Sequence, residues 1–118
     1  MENCFFVPIL PGKTDDAYQF AKDLNTTRRD EYSNAQLTCT KESWFVQHTP
    51  HGDFMIVYFE ALDGDAVMGN LAASEEPFDM WFKEQILELT GIDCTQPMPG
   101  GMPKQVLSWS KEPAGVLA

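Results

Sequence analysis

Basic residues are scarce in this chain. Eight lysines and arginines stand against 18 acids in 118 residues, for a net charge of −10. A surface of that sign repels phosphate backbones and anionic membranes. Arg28 and Arg29 are the one pair of adjacent bases, and Asp23, Asp30 and Glu31 surround them. Binding to nucleic acid or to a membrane surface is therefore not expected. Cysteine is sparse too. Cys4, Cys39 and Cys94 are odd in number, widely spaced and without a CxxC pair. That argues against a disulfide framework or a zinc site and fits the reduced thiols of a cytoplasmic protein. The two histidines form no HxH, HExxH or facial triad, so neither a metal nor a cofactor is expected. No apolar run approaches the roughly 18 residues of a membrane helix. The first residues lack the basic stretch and apolar run of a secretory leader. A nucleophile elbow, a P-loop and a GxGxxG turn are missing as well, so no reaction is named by motif.

What is present suits one globular domain. Apolar residues make up 43% and charged residues 22%, ordinary for a soluble fold. Residues 1–110 are read as that domain and 111–118 as a C-terminal tail. The centre of the chain is a hairpin: residues 42–48 and 53–62 are rich in aromatic and β-branched side chains, and Thr49, Pro50, His51 and Gly52 turn between them. Residues 3–10 form a first strand, which Pro8 confines to an edge or ends. Residues 105–109 have the composition of a last strand.

Two helical stretches separate these strands. Thr14, Asp15 and Asp16 open the first, with the threonine as cap and the acids at the positive end. Ala17, Phe20, Ala21, Leu24, Arg28 and Tyr32 follow at helical spacing to an end between 33 and 37. Asn25, Thr26 and Thr27 are weak helix formers, a place for a kink or break. Residues 37–41 connect to the hairpin. Asp63, Gly64 and Asp65 lead into a second helix at 66–73. Ser74 as cap, two acids and Pro77 restart it. Phe78, Trp81, Phe82, Gln85, Ile86 and Leu89 form its stripe, and Gly91 ends it. A proline- and glycine-rich loop spans 92–103.

Strand, helix, strand, strand, helix, strand is the split β-α-β order. The expected fold is an α+β ferredoxin-like sandwich, a four-stranded antiparallel sheet with both helices on one face. Both alternations of the hairpin are apolar. Trp44, Val46 and His48 oppose Phe45 and Gln47, while Phe54, Ile56, Tyr58 and Glu60 oppose Met55, Val57, Phe59 and Ala61. A sheet with one wet face shows polar alternation instead. The second face is therefore expected to be covered by another copy of the chain or by a ligand.

On this topology and pattern, residues 3–110 resemble the dimeric α/β-barrel superfamily. Its subunits are ferredoxin-like and pair sheet to sheet. The superfamily holds small monooxygenases, haem-degrading enzymes, isomerases and sugar mutarotases. The stretch 71–85 is similar to bacterial members without an assigned activity. It is distantly similar to rhamnose mutarotases, which carry an Ala-Ser turn and then a Trp-Trp pair where this chain has Trp81 and Phe82. Mutarotases use a tyrosine and a histidine four residues apart on the first helix. Tyr18 matches the tyrosine, and Lys22 stands at the histidine position. The resemblance implies a homodimer formed through the sheet.

Several side chains are candidates for chemistry. His48 or Glu60 is the candidate general base, although a register that sets His48 opposite residue 55 and Glu60 opposite residue 43 makes them neighbours only at long range. Arg28 shares an inward stripe with Tyr32 and is the candidate anion anchor, or else half of a structural ion pair. Tyr18, Tyr32, Trp44, Tyr58 and Trp81 offer flat apolar faces suited to sugars, flavins, quinones or polyketides. They serve equally well as core filler. Two main readings follow. One is a small-molecule-binding or catalytic domain, an oxygenase or isomerase without a cofactor, with its pocket between the sheet and the second helix. The other is a non-catalytic dimerising module. A mutarotase-like epimerase is a third.

Overall fold

The computed structural model describes residues 1–36, 38–98 and 100–111. Of the sequence-based expectations, the tail beyond Lys111, Leu37 in the connection and Pro99 in the loop lie outside the described residues. Among the described residues, three strands and four helices follow in the order β1 (Glu2–Pro8), α1 (Thr14–Asn25), α2 (Arg29–Ala35), β2 (Lys41–Thr49), β3 (Gly52–Glu60), α3 (Gly64–Ala73) and α4 (Pro77–Thr90). The fold is mixed α+β. Its sheet is antiparallel, in the order β1-β3-β2. Pro8 thus sits on an edge strand, where a missing N–H breaks no central pairing. None of these helices is long and apolar enough to cross a membrane.

The fourth strand expected at 105–109 is not formed. That segment is irregular and exposed, and Val106 keeps 91% of its surface open. A β-prone composition gives a strand only where a neighbour offers partners for its backbone and a surface for its side chains. Gln105 Nε2 reaches Glu2 Oε1 at 3.0 Å, so the segment begins beside β1 without joining it.

The hairpin register also differs from expectation, by two residues. His48 pairs with Asp53 and Lys41 with Glu60. The turn is tighter than assumed: Thr49 faces Gly52 directly, and Pro50 and His51 alone bridge them. Thr49 Oγ1 donates to the Gly52 carbonyl at 2.6 Å and accepts from the His51 N–H at 3.1 Å. Gly52 has φ 119°, which an L side chain rarely adopts. A two-residue shift preserves which face each side chain takes.

The first helical stretch divides where Asn25, Thr26 and Thr27 weaken it. The Thr26 hydroxyl bonds back to the Lys22 carbonyl at 2.7 Å, a side-chain bond that competes with helix continuation. Thr14 does not cap α1. Lys13 holds the capping position without a side-chain bond, and the Thr14 hydroxyl turns to Asp53. Asp63 caps α3 by accepting from the Ala66 N–H. Ser74 ends α3 rather than capping α4, which begins after Glu76 with Pro77 in its first turn. Gly91 ends α4 in the left-handed conformation, φ 76°, as its position suggested.

One face of the sheet is covered. Val7, Met55, Val57 and Phe59 meet Ala17, Phe20 and Leu24 of α1 and Phe82 and Leu89 of α4. Lys83 is also buried, at 6% exposure. Its Nζ donates to the carbonyls of Ala72 (3.1 Å) and Ser74 (2.8 Å), satisfying free acceptors at the end of α3. Lys83→Met keeps the apolar stem and removes both bonds. It should cost about 2–3 kcal/mol, the scale of hydrogen bonds to a charged group, read as a lowered urea midpoint at unchanged slope.

Candidate functional site

The helices do not fill the covered face completely. A cavity of about 670 Å3 remains between the sheet and α2, α3 and α4. Its floor is Phe5, Val7, Met55, Val57 and Phe59 from the sheet. Its walls include Tyr32, Val67, Leu71, Phe78, Phe82 and Ile86 from the helices. The loop after α4 adds Ile92, Cys94 and Met98. The space exists because α2 is short and set off by the break at Thr26, while α3 is a separate segment that ends before α4 begins.

One carboxylate is fixed in this apolar wall. Glu42 sits in β2 opposite Phe59, on the helix side of the sheet. Tyr32 Oη and Gln36 Nε2 both donate to its Oε1, the second at 2.8 Å. Trp44 Nε1 donates to its Oε2 at 2.8 Å. Burial, with Glu42 adding to it, pushes the Tyr32 phenol far above its ordinary range, so it remains a donor. Burial likewise raises the two cavity-lining thiols, Cys39 and Cys94, and keeps them protonated rather than nucleophilic.

Of the side chains singled out from sequence, Tyr32 and Trp44 line this cavity. The others lie elsewhere. His48 is at the hairpin end of the sheet, where its Nδ1 lies 2.8 Å from Asp53 Oδ1 and its Nε2 lies 3.4 Å from the Tyr18 hydroxyl. A tyrosine and a histidine do meet, then, but the histidine comes from β2 and not from the helix. Glu60 is at the far end of β3 on the opposite face. Seven residues separate it from Asp53, roughly 23 Å along a strand. There it accepts from the Tyr58 hydroxyl, which is also 3.2 Å from Glu2. These two acids raise the Tyr58 pKa, the bond to Glu60 most of all. His48 and Glu60 therefore share no site.

Arg28 does not line the cavity and is half of a structural ion pair instead. It pairs with Glu31 at 2.9 Å and lies over the Trp81 ring at 3.8 Å and the Phe78 ring at 5.3 Å. That bond to Glu31 raises the guanidinium pKa above its ordinary value. Arg28 closes the break before α2 and ties it to α4. Trp81 packs on Phe20 and Phe78 as part of the aromatic core.

Glu42 was legible by parity. It is two residues before Trp44 on the same alternation as Val46 and His48. An acid at an inward strand position is a signal in itself, since such groups are rarely buried without partners.

The Thr14, Asp53 and His48 ties are structural, and they carry a pH signature. The Thr14 hydroxyl, 2.6 Å away, and then His48 hold the Asp53 carboxyl below its usual range. A carboxyl lowered in the folded state contributes stability above its unfolded pKa of about 3.9. That stability is lost as pH falls through the folded value. Asp53→Asn should therefore flatten the acid limb of a plot of stability against pH, measured by urea unfolding. An unchanged acid limb would show that these bonds are not formed in solution.

The chain matches no protein-family model, no curated protein and no solved structure.

Proposed function

We propose that this chain is a small-molecule-binding α+β domain that works as a homodimer, with the cavity between sheet and helices as its binding site. The observation that carries the reading is the cavity itself. At about 670 Å3 it falls within the range of about 300–1,000 Å3 for ligand sites, and it has their composition of apolar walls with a few fixed polar groups. Glu42, held by Tyr32, Gln36 and Trp44, is that polar group. A purely dimerising module would favour a filled interior.

In this reading the aromatic side chains serve two ends. Tyr32 and Trp44 face ligand, while Trp81 and Arg28 brace the helices that shape the pocket. In this reading Glu42, held in place by the Tyr32 hydroxyl, is the carboxylate that faces ligand, because His48 and Glu60 flank no common space.

The sheet's other face supports the dimer reading. Phe6 is 65% exposed and Phe45 57%, with Phe54, Ile56 and Tyr58 beside them on the same alternation. These five side chains form the apolar middle of a face on the order of 400 Å2, and a contiguous exposed apolar patch of that kind is often functional. The sheet order β1-β3-β2 is that of three strands of a ferredoxin-like sandwich. Pairing sheet to sheet would complete the barrel.

A neutral hydrophobic dye, N-phenyl-1-naphthylamine, tests the pocket. Its fluorescence should rise on binding. Leu71→Trp, which fills the cavity from α3 and leaves the open sheet face intact, should abolish the rise. A rise unchanged in that variant would place the dye elsewhere and sink the reading.

A further inference from the structure

The charges around the cavity say which ligands it accepts. Glu31, Glu42, Glu76 and Asp79 line it, and no lysine, arginine or histidine does among the described residues. Two bases on neighbouring segments are engaged. Arg28 bonds Glu31 and lies on Trp81, and Lys83 is held by two carbonyls. Three of these acids have partners: Glu31 in Arg28, Asp79 in the Ser74 hydroxyl at 2.6 Å, and Glu42 in Tyr32, Gln36 and Trp44. Glu76 is exposed at the rim. Glu42 is the acid set among rings, with Phe59 opposite it and Tyr32 and Trp44 bonded to it.

An ionised carboxylate has about four acceptor positions on its two oxygens. Tyr32, Gln36 and Trp44 take three of them, two on Oε1 and one on Oε2. We propose that the cavity recognises a hydrophobic amine. Its protonated amino group donates to the free position on Glu42 Oε2, and its apolar body lies among Tyr32, Trp44, Phe59 and Phe82. This inference rests on the pocket reading above and narrows it.

Three physical effects point the same way. A bond from an ammonium to a carboxylate is about twice as strong as one from a neutral donor. The faces of aromatic rings attract cations and not anions. An anionic ligand would be desolvated beside Glu42 with no lining base to pair it among the described residues, which is costly. The chain's net charge of −10 adds a general attraction for cations, but that attraction is long-ranged and screened by salt.

Three probes with one apolar body separate these effects: 1-naphthylmethylamine, 1-naphthalenemethanol and 1-naphthoate, titrated by calorimetry into the full chain. The amine should bind about tenfold or more tightly than the alcohol, the ratio expected of a charge-assisted bond. The acid should give no measurable binding. In about 1 M salt, where the screening length falls to about 3 Å, the preference for the amine should persist. Glu42→Gln should bring amine and alcohol to equal affinity. Equal binding of all three probes overturns the inference and leaves the pocket intact. So does an amine preference that vanishes in salt or survives Glu42→Gln. The salt series needs only the wild-type chain, so the test stands even if the variant does not fold. Binding of none of the probes sinks the pocket reading together with this one.

Discussion

Phe20→Ala should destabilise the protein by about 3–5 kcal/mol, a large share of the stability of a domain this size. Phe20 is 3% exposed on the inner face of α1. Its ring lies 5.8 Å from Trp44, 5.5 Å from Trp81 and 5.5 Å from Phe82. It thus joins α1, the sheet and α4 in one contact. Removing it opens a void that three rigid aromatic neighbours cannot close, so both the transfer term and the cavity term apply. Urea unfolding followed by circular dichroism measures the loss. A cost under about 1 kcal/mol, the level of a surface substitution, would mean that α1 is not seated as described. The same variant should also weaken dye binding, because Trp44 and Phe82 are walls of the cavity.

Pairing Phe6→Lys with Phe45→Lys should turn the proposed dimer into a monomer. The two rings stand on the two edge strands of the open face, flanking Ile56 at its centre: Phe6 and Phe45 are both register partners of that residue. Two copies meeting through this face would bring both rings of each copy into the contact. Four ammonium groups taken out of water in that contact would cost several kcal/mol, which shifts the dissociation constant by a factor of about 100 or more. The rings are already exposed in the single chain, so folding should change little. Light scattering at a series of concentrations reads the mass. A wild-type chain that is monomeric at high concentration would remove the dimer from the account and leave the cavity in place.

The periodicity of the sequence was a good guide where the chain pairs with itself locally. Phe20 and Leu24 at helical spacing do form the buried stripe, and Gly91 and Asp63 do bound their helices, since caps and amphipathic faces are short-range properties. The weak patch at Asn25 to Thr27 did break the helix. The missing strand needs a partner from farther away. Residues 105–109 have the side chains of a strand, but a strand is made by a neighbour's free edge, and composition does not state whether that edge is taken. The hairpin register slipped by two because Pro50 and His51 make a shorter turn than the composition of 49–52 suggested. Since a two-residue slip keeps parity, the division of the sheet into two apolar faces survived the error.

The site was harder to read than the fold for a related reason. His48, Glu60 and Arg28 are the residue types that perform chemistry, and they drew attention by type. Their places in three dimensions are one end of the sheet, the other end on the opposite face, and the outside of the aromatic core. Glu42 drew none, because acids are common in so acidic a chain. What distinguishes it is the convergence of Tyr32 and Gln36 from α2 with Trp44 from its own strand. That convergence depends on how α2 turns after the break at Thr26, which no short-range pattern specifies.

In the proposed function a small apolar molecule enters the space between sheet and helices. Titrating the isotope-labelled chain with 1-naphthalenemethanol and following its amide and indole N–H resonances tests it most directly. Shifts are expected at the Trp44 indole and at the amides of Tyr32, Leu71 and Ile86, which surround the cavity. Shifts confined to Cys4, Phe45 and Ile56 on the open face, or no shifts at saturating probe, would contradict it.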